Sequence, residues 1–393
     1  MALAPTEIPA PAIAPPQFLW HPATRGYERG ELASSDSALG QLRIAMQSGK
    51  GFAIAQEGLG PMLPPGILQC QTGGTTGTPK LIERNHSSWI SSFIQNAHHF
   101  GIGPGTAVGC FGGLGHSLAL YAAIEAAHMG ADIHMLVGLR PRAQIAELSR
   151  HNVSVLYATP TQLSLLTTVG ATLPAVRHVL CGGGQLGAEA RNKGHTLCPN
   201  AEITVFYGAS ETSFVSLSDA HTPPGSVGRA YGTARIEIRN GGEVWVSSPY
   251  LFSHYASGHS VETRRDGAFL TVGEMGWLDK DGYLFLTGRR DRMVRIAEQS
   301  VHPETVEARL LTDPDVAMAC VLPRDDAARG QVLEAVIAGA PNPTLADRLD
   351  RDCRIAFGPL IAPRAFHFLP ELPLRAAGKP DLARLAAWLD SLA

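Results

Sequence analysis

Short apolar runs rich in Val, Ile and Leu recur along the first half of the chain, each ending in a loop signal. Gly66-Ile67-Leu68-Gln69 runs into a Gly/Thr cluster. Val153-Ser154-Val155-Leu156-Tyr157 runs into Pro160 and an apolar-periodic segment through Leu166. Val179-Leu180-Cys181 ends in Gly182-Gly183-Gly184, and Ile203-Thr204-Val205-Phe206 ends in Tyr207-Gly208. Strands that alternate with helical patterns predict a layered α/β domain with many parallel strands. From about Gly225 the texture changes, and Ile236-Glu237-Ile238 and Glu243-Val244-Trp245-Val246 alternate like half-exposed antiparallel strands. Beyond Gly288 the pattern predicts a small α+β unit: a helix from Pro303, strands near residues 316–322 and 333–337, and a last helix from Asp381. The expected division is a large domain, residues 1–290, and a small one, residues 291–393.

Composition changes this picture little. A chain of 393 residues has room for two domains, and 45% apolar with 17% charged residues is ordinary for a globular protein. A net charge of −3 makes no case for nucleic acid or an anionic membrane surface. No apolar run approaches the length of a bilayer span. The Ala- and Pro-rich residues 1–16 lack a basic start and an apolar core, so they read as a flexible lead-in rather than a signal peptide. The six cysteines are scattered without a Cys-x-x-Cys pair, which fits reduced thiols and a cytoplasmic location better than disulfides or zinc.

Chemistry concentrates in Gln71-Thr72-Gly73-Gly74-Thr75-Thr76-Gly77-Thr78-Pro79-Lys80. Its glycines free the backbone to turn N–H groups into one concavity, and the threonine hydroxyls and Lys80 add donors and a positive charge. Such a loop suits a polyphosphate and reads equally, taken alone, as a surface turn. No Gly-Lys-Ser/Thr closes it, so it is not a Walker loop.

The loop resembles the Thr-Ser-Gly-Thr-Thr-Gly-x-Pro-Lys signature of the adenylate-forming superfamily of acyl- and aryl-CoA synthetases, peptide-synthetase adenylation domains and luciferases. Further matches follow in that family's order. Tyr207-Gly208-Ala209-Ser210-Glu211, Val272-Gly273-Glu274-Met275-Gly276 and Gly288-Arg289-Arg290-Asp291 are three of them. Val301-His302-Pro303 with Val306-Glu307, and Leu372-Pro373-Leu374 with Gly378-Lys379, complete the set. The resemblance implies a large α/β domain with a small β-barrel-like portion and a small mobile C-terminal domain. It implies that ATP and Mg²⁺ convert a carboxylic acid into an acyl-adenylate, with transfer to CoA or to the phosphopantetheine of a carrier protein.

By the same resemblance, Thr72, Gly74, Thr75, Thr76, Gly77 and Lys80 hold phosphates, with Gly183, Gly208 and Ser210 beside the nucleotide. Tyr207 lies near the adenine, Glu274 and Arg289 grip the ribose, Glu211 and Thr75 serve the metal, and Lys379 contacts the attacking carboxylate. Asp291 is the expected hinge. His116, Gly182 and Gly184 are expected in the acyl pocket. The chemistry needs such a set, because an anion must approach a polyanion and catalysis is largely positioning and charge stabilisation.

The chain departs from the pattern in places. Gly73 replaces a Ser, Val272 and Glu274 replace Thr and Asp, and Arg295 stands where Lys is usual. Glu298 takes the place of a glycine near the thiol channel, which bears on the acceptor. The stretch before the phosphate loop is short, a feature shared with some aryl-acid ligases that load carrier proteins. The segment Phe111-Gly112-Gly113-Leu114-Gly115-His116-Ser117-Leu118 contains no acid, so α-amino acids are expected to be poor substrates and aryl or short acyl acids better ones.

Overall fold

A computed structural model of the chain describes residues 15–56, 58–72, 80–327, 329–375 and 380–392. The calls on Gly74, Thr75, Thr76, Gly77 and Lys379, and most of the lead-in, lie outside these residues.

Among the described residues the core is a nine-stranded sheet. Strands Glu202–Ala209, His178–Gly182, Val155–Ala158, Ala107–Cys110, Asp132–Met135 and Gly26–Glu28 lie side by side and parallel. Ala107–Cys110 and Val155–Ala158 are buried along their whole length, which is why they read as apolar runs without alternation. Helices Pro141–Arg150, Pro160–Thr167 and Ala188–Leu197 cover one face through Ile145, Leu148, Leu163, Leu166 and Leu197. Thr159 starts the second of these with a reciprocal capping box to Gln162.

On the other face, helices His86–Phe100 and Ser117–Met129 separate the large sheet from a five-stranded one. One apolar cluster joins Ile54, Leu68 and Ile82 of the smaller sheet to Val108, Ile133 and Leu180 of the larger. The helix Ser117–Met129 is buried from Ala119 to Ala127, as its Ala-rich sequence allows.

Two expectations fail in detail. Strands Ile67–Gln71 and Glu202–Ala209 do not lead into helices. Each continues into an antiparallel neighbour, Leu81–Asn85 and Ser213–Leu217 respectively. The loops at both turns read like strand-to-helix loops, and only the return strand distinguishes them. The strand Glu243–Ser247 is fully buried rather than half-exposed, because it lies inside a six-stranded sheet with neighbours on both edges. Its partner Arg235–Arg239 keeps the expected half-exposed pattern.

After residue 290 the chain forms a hairpin, Val294–Ile296 with Gln299–Val301, and a three-stranded sheet with helices Pro303–Leu310, Pro343–Phe357 and Leu382–Asp390. Asp381 caps the last helix by accepting from the Arg384 N–H. The apolar clusters of this part hold residues 294–389 alone, so the fold is a large α/β domain followed by a small C-terminal one.

Candidate active site

The strands Ile67–Gln71 and Leu81–Asn85 form the neck of the phosphate loop. Gln71 faces Leu81 in register, and the Thr72 N–H donates to the Lys80 carbonyl at 2.9 Å. Both ends of the loop are therefore fixed, and Thr72 and Lys80 line one cavity of about 290 Å³. The Thr72 hydroxyl is buried and has no hydrogen-bond partner among the described residues. An orphaned buried hydroxyl at the mouth of a Gly/Thr loop is what a phosphate oxygen would satisfy.

The same cavity is lined by Gly183, Gly208, Ser210, Glu211, Glu274, Arg289 and Asp291. Ser210 and Glu211 sit in the turn between Glu202–Ala209 and Ser213–Leu217. Only glycine fits at 208, where a Cβ would stand 1.9 Å from the Ser213 carbonyl oxygen. The Ser210 hydroxyl meets Ser117 Oγ at 2.8 Å. The Tyr255 hydroxyl donates to Glu211 Oε1 at 2.8 Å, and the Phe252 N–H holds the Glu211 carbonyl at 2.8 Å. Glu274 and Arg289 face each other across adjacent antiparallel strands. Arg289 also forks onto Asp291, in the turn Arg290–Arg292.

Strand alternation separates the two aromatic neighbours in Phe206-Tyr207-Gly208. Phe206 and Gly208 line the cavity, whereas Tyr207 packs on the cluster of Val215, Val244, Val246 and Leu284. Burial, with Glu274 nearby, pushes the Tyr207 hydroxyl well above the usual tyrosine range. Gly184 does not line the cavity, while His116 and Gly182 do. Burial lowers the His116 pKa, which favours the neutral ring.

Sequence reasoning missed most of the aromatic lining. Trp89, Tyr121, Tyr157, Phe206 and Phe214 line the cavity from five separate elements. Behind them, Glu125 is fully buried and takes hydrogen bonds from Asn96 Nδ2 (2.8 Å), the Tyr121 hydroxyl (3.2 Å) and the Tyr157 hydroxyl. Burial pushes the Glu125 pKa up to about 8. Tyr255 and Arg84, which touch the Glu211 turn, were also missed, having no motif to mark them.

Glu298 lies at the tip of the hairpin Val294–Ile296/Gln299–Val301, exposed and paired with Arg295 at 3.0 Å. The preceding Ala297 has φ +52°, the left-handed conformation that glycine adopts more readily. The six cysteines are buried and free of disulfides. Burial pushes Cys70 up to about 11 and Cys110 up to about 12, so neither is a ready thiolate nucleophile. Among the described residues no group of three or more His, Cys, Asp or Glu could hold a metal, and no helix is long and apolar enough to cross a membrane.

The sequence model of AMP-binding enzymes matches residues 68–256, and that of the AMP-binding enzyme C-terminal domain matches residues 305–379. The chain is 31% identical over 332 residues to an uncharacterized acyl–CoA ligase, YhfT, of Bacillus subtilis, covering 81% of this chain and 68% of that one. The chain belongs to the AMP-binding enzyme family. Its relatives include, besides YhfT, a 2-succinylbenzoate–CoA ligase of Bacillus subtilis, 28% identical over 331 residues, covering 78% of this chain and 66% of that one.

Two solved structures of AMP-binding enzymes resemble it at 25% identity. The amide bond synthetase McbA from Marinactinospora thermotolerans gives a TM-score of 0.70, covering 84% of this chain and 71% of that one. The o-succinylbenzoate CoA synthetase from Bacillus subtilis, in complex with its acyl-adenylate intermediate, gives 0.69, covering 81% and 68%. The chain thus spans about two thirds of the length of these relatives.

Proposed function

We propose that this protein activates an aryl or short acyl carboxylic acid with ATP and Mg²⁺ and then passes the acyl group to a thiol. The acid oxygen attacks the α-phosphorus, the bond to the β-phosphate oxygen breaks, and pyrophosphate leaves with its electron pair. The acid is already ionised at neutral pH and needs no base. The observation that carries the reading is that one cavity joins the orphaned Thr72 hydroxyl and Glu211 to a wall of six aromatic side chains, Phe111 besides the five above.

The residues fit the nucleotide and its metal. Thr72 and Lys80, with Thr75 and Thr76 of the loop, would hold phosphates. Glu274 and Arg289 would hold the ribose. Glu211 would offer one carboxylate oxygen to Mg²⁺, which takes few protein ligands when phosphates supply others. The metal, when bound, offsets charge on the phosphates. Lys379 would bring a cation to the carboxylate and α-phosphate once the small domain, residues 291–393, turns about Asp291.

The charged residues lining the cavity are Lys80, Glu211, Glu274, Arg289 and Asp291, and each is assigned above to the nucleotide, its metal or the hinge. The acid end is left aromatic and neutral among the described residues. A buried α-ammonium group would find no carboxylate there.

The test is acid-dependent ATP–pyrophosphate exchange over a panel of aryl, short acyl and amino acids, comparing wild type with Lys379→Ala. Exchange is expected with neutral acids and lost in the variant. No exchange with any acid would sink the proposal, and strong exchange with amino acids would sink its substrate class. An amine acceptor is the second reading, favoured by the likeness to an amide bond synthetase and by Glu298, where the family resemblance implies a glycine. Product analysis with CoA, a phosphopantetheinylated carrier protein and simple amines separates the acceptors.

A further inference from the structure

Arg84 is fully buried on the strand Leu81–Asn85, one turn of chain beyond the phosphate loop. Its hydrogen bonds go to uncharged groups. Nη2 donates to the Ser210 carbonyl. Nη1 donates to Ser213 Oγ at 2.9 Å, and to the Tyr250 carbonyl and Ser88 Oγ at 3.2 Å each. Its guanidinium lies 4.7 Å over the Trp89 ring, and its Nε has no partner among the described residues. No carboxylate lies within ion-pair distance of it among the described residues. The Glu211 carboxylate acts on it only from beyond that distance, and a buried cation with no close ion pair is costly, where a leucine or methionine would fill the space more cheaply.

What the cost maintains is visible in the partners. Glu211 is held at three points: its own carbonyl by the Phe252 N–H, its carboxylate by Tyr255, and the carbonyl before it by Arg84. Of these three only Arg84 also reaches the acid wall. Ser213 Oγ, which it holds, accepts from Trp89 Nε1 at 3.0 Å, and Trp89 lines the cavity. We propose that Arg84 is a positioning residue that fixes the Ser210–Glu211 peptide for the metal-bound nucleotide and ties it to Trp89 on the acid wall. The inference rests on the adenylation reading above and on the metal role of Glu211.

The experiment is equilibrium binding of ATP by calorimetry, with and without Mg²⁺, for wild type, R84K, R84M, E211Q and R84M/E211Q. In R84M the gain in ATP affinity on adding Mg²⁺ falls about tenfold, the size of one lost charge-assisted hydrogen bond. Affinity without Mg²⁺ stays within about twofold, and R84K recovers part of the gain. In the E211Q background R84M has no further effect, because Arg84 acts through Glu211. A gain kept within about twofold in R84M, or the same loss in the E211Q background, overturns the inference and leaves Arg84 as core filling. If R84M does not fold, R84K decides by the same measures. E211Q alone keeping the full gain would remove the metal role of Glu211 itself, a failure distinct from that of Arg84.

Discussion

Arg289 lays its guanidinium along the carboxylate of Asp291, Nε to Oδ1 at 3.0 Å and Nη2 to Oδ2 at 3.2 Å. Across the sheet it stands opposite Glu274. On the proposed reading, the fork is thus oriented before the ribose arrives. Lysine keeps the charge but not the planar pair of donors. Arg289→Lys is expected to raise the KM for ATP in exchange by roughly tenfold, at nearly unchanged melting temperature. An unchanged KM would take Arg289 out of nucleotide binding.

A Cβ on Gly182 would stand 2.2 Å from the Phe206 ring. Phe206 cannot retreat, since its ring packs on Phe214 at 4.5 Å. Gly182→Ala should push the ring into the cavity and cost about 1–3 kcal/mol of stability, as overpacking does. Urea denaturation measures the cost. In exchange assays, bulky acids should lose more than small ones, and a uniform loss would place Gly182 outside the acid pocket.

Glu125 titrates near 8 in the folded chain because burial disfavours its charge. The folded state therefore keeps a proton that the unfolded chain releases near 4.5. Its contribution is full below the unfolded value and is lost as pH rises through about 8. Denaturation free energies measured from pH 5 to 9 should fall across that window in wild type, and Glu125→Gln should flatten the slope. An equal slope in both would assign the titration to another group.

His86 carries the opposite sign. Burial lowers its pKa to about 4, its Nδ1 accepts the Phe18 N–H at 3.0 Å, and its ring stacks on Phe18 at 3.8 Å. Its contribution is present above 6.5 and is lost as pH falls towards 4. His86→Phe keeps a stacking ring but strands the Phe18 N–H. It should lose about 1–3 kcal/mol at pH 7 and show a weaker acid slope. A variant as acid-sensitive as wild type would exonerate His86.

The residues proposed for the nucleotide were largely legible in the sequence, those proposed for the acid hardly at all. Thr72, Lys80, Ser210, Glu211, Glu274 and Arg289 belong to short motifs, because contact with a fixed ligand demands fixed residue types at fixed spacing, and all six line one cavity. The aromatic wall carries no such mark. Trp89, Tyr121 and Phe214 look like core residues in apolar elements, and side chains of that kind serve a core and a pocket alike. The turns after Ile67–Gln71 and Glu202–Ala209 were misread for a related reason: a strand's partner is chosen by long-range pairing, which local pattern does not encode.

By itself the sequence determined the α/β class and the order of the motifs, since periodicity and residue type are local properties. Only the tertiary structure decided that Tyr207 turns to the neighbouring sheet while Phe206 faces the cavity, that Glu125 is fully buried, and that Arg84 holds the Ser210–Glu211 turn. Those outcomes depend on which surfaces meet when distant segments pack, and burial then sets the charge state and reach of each group.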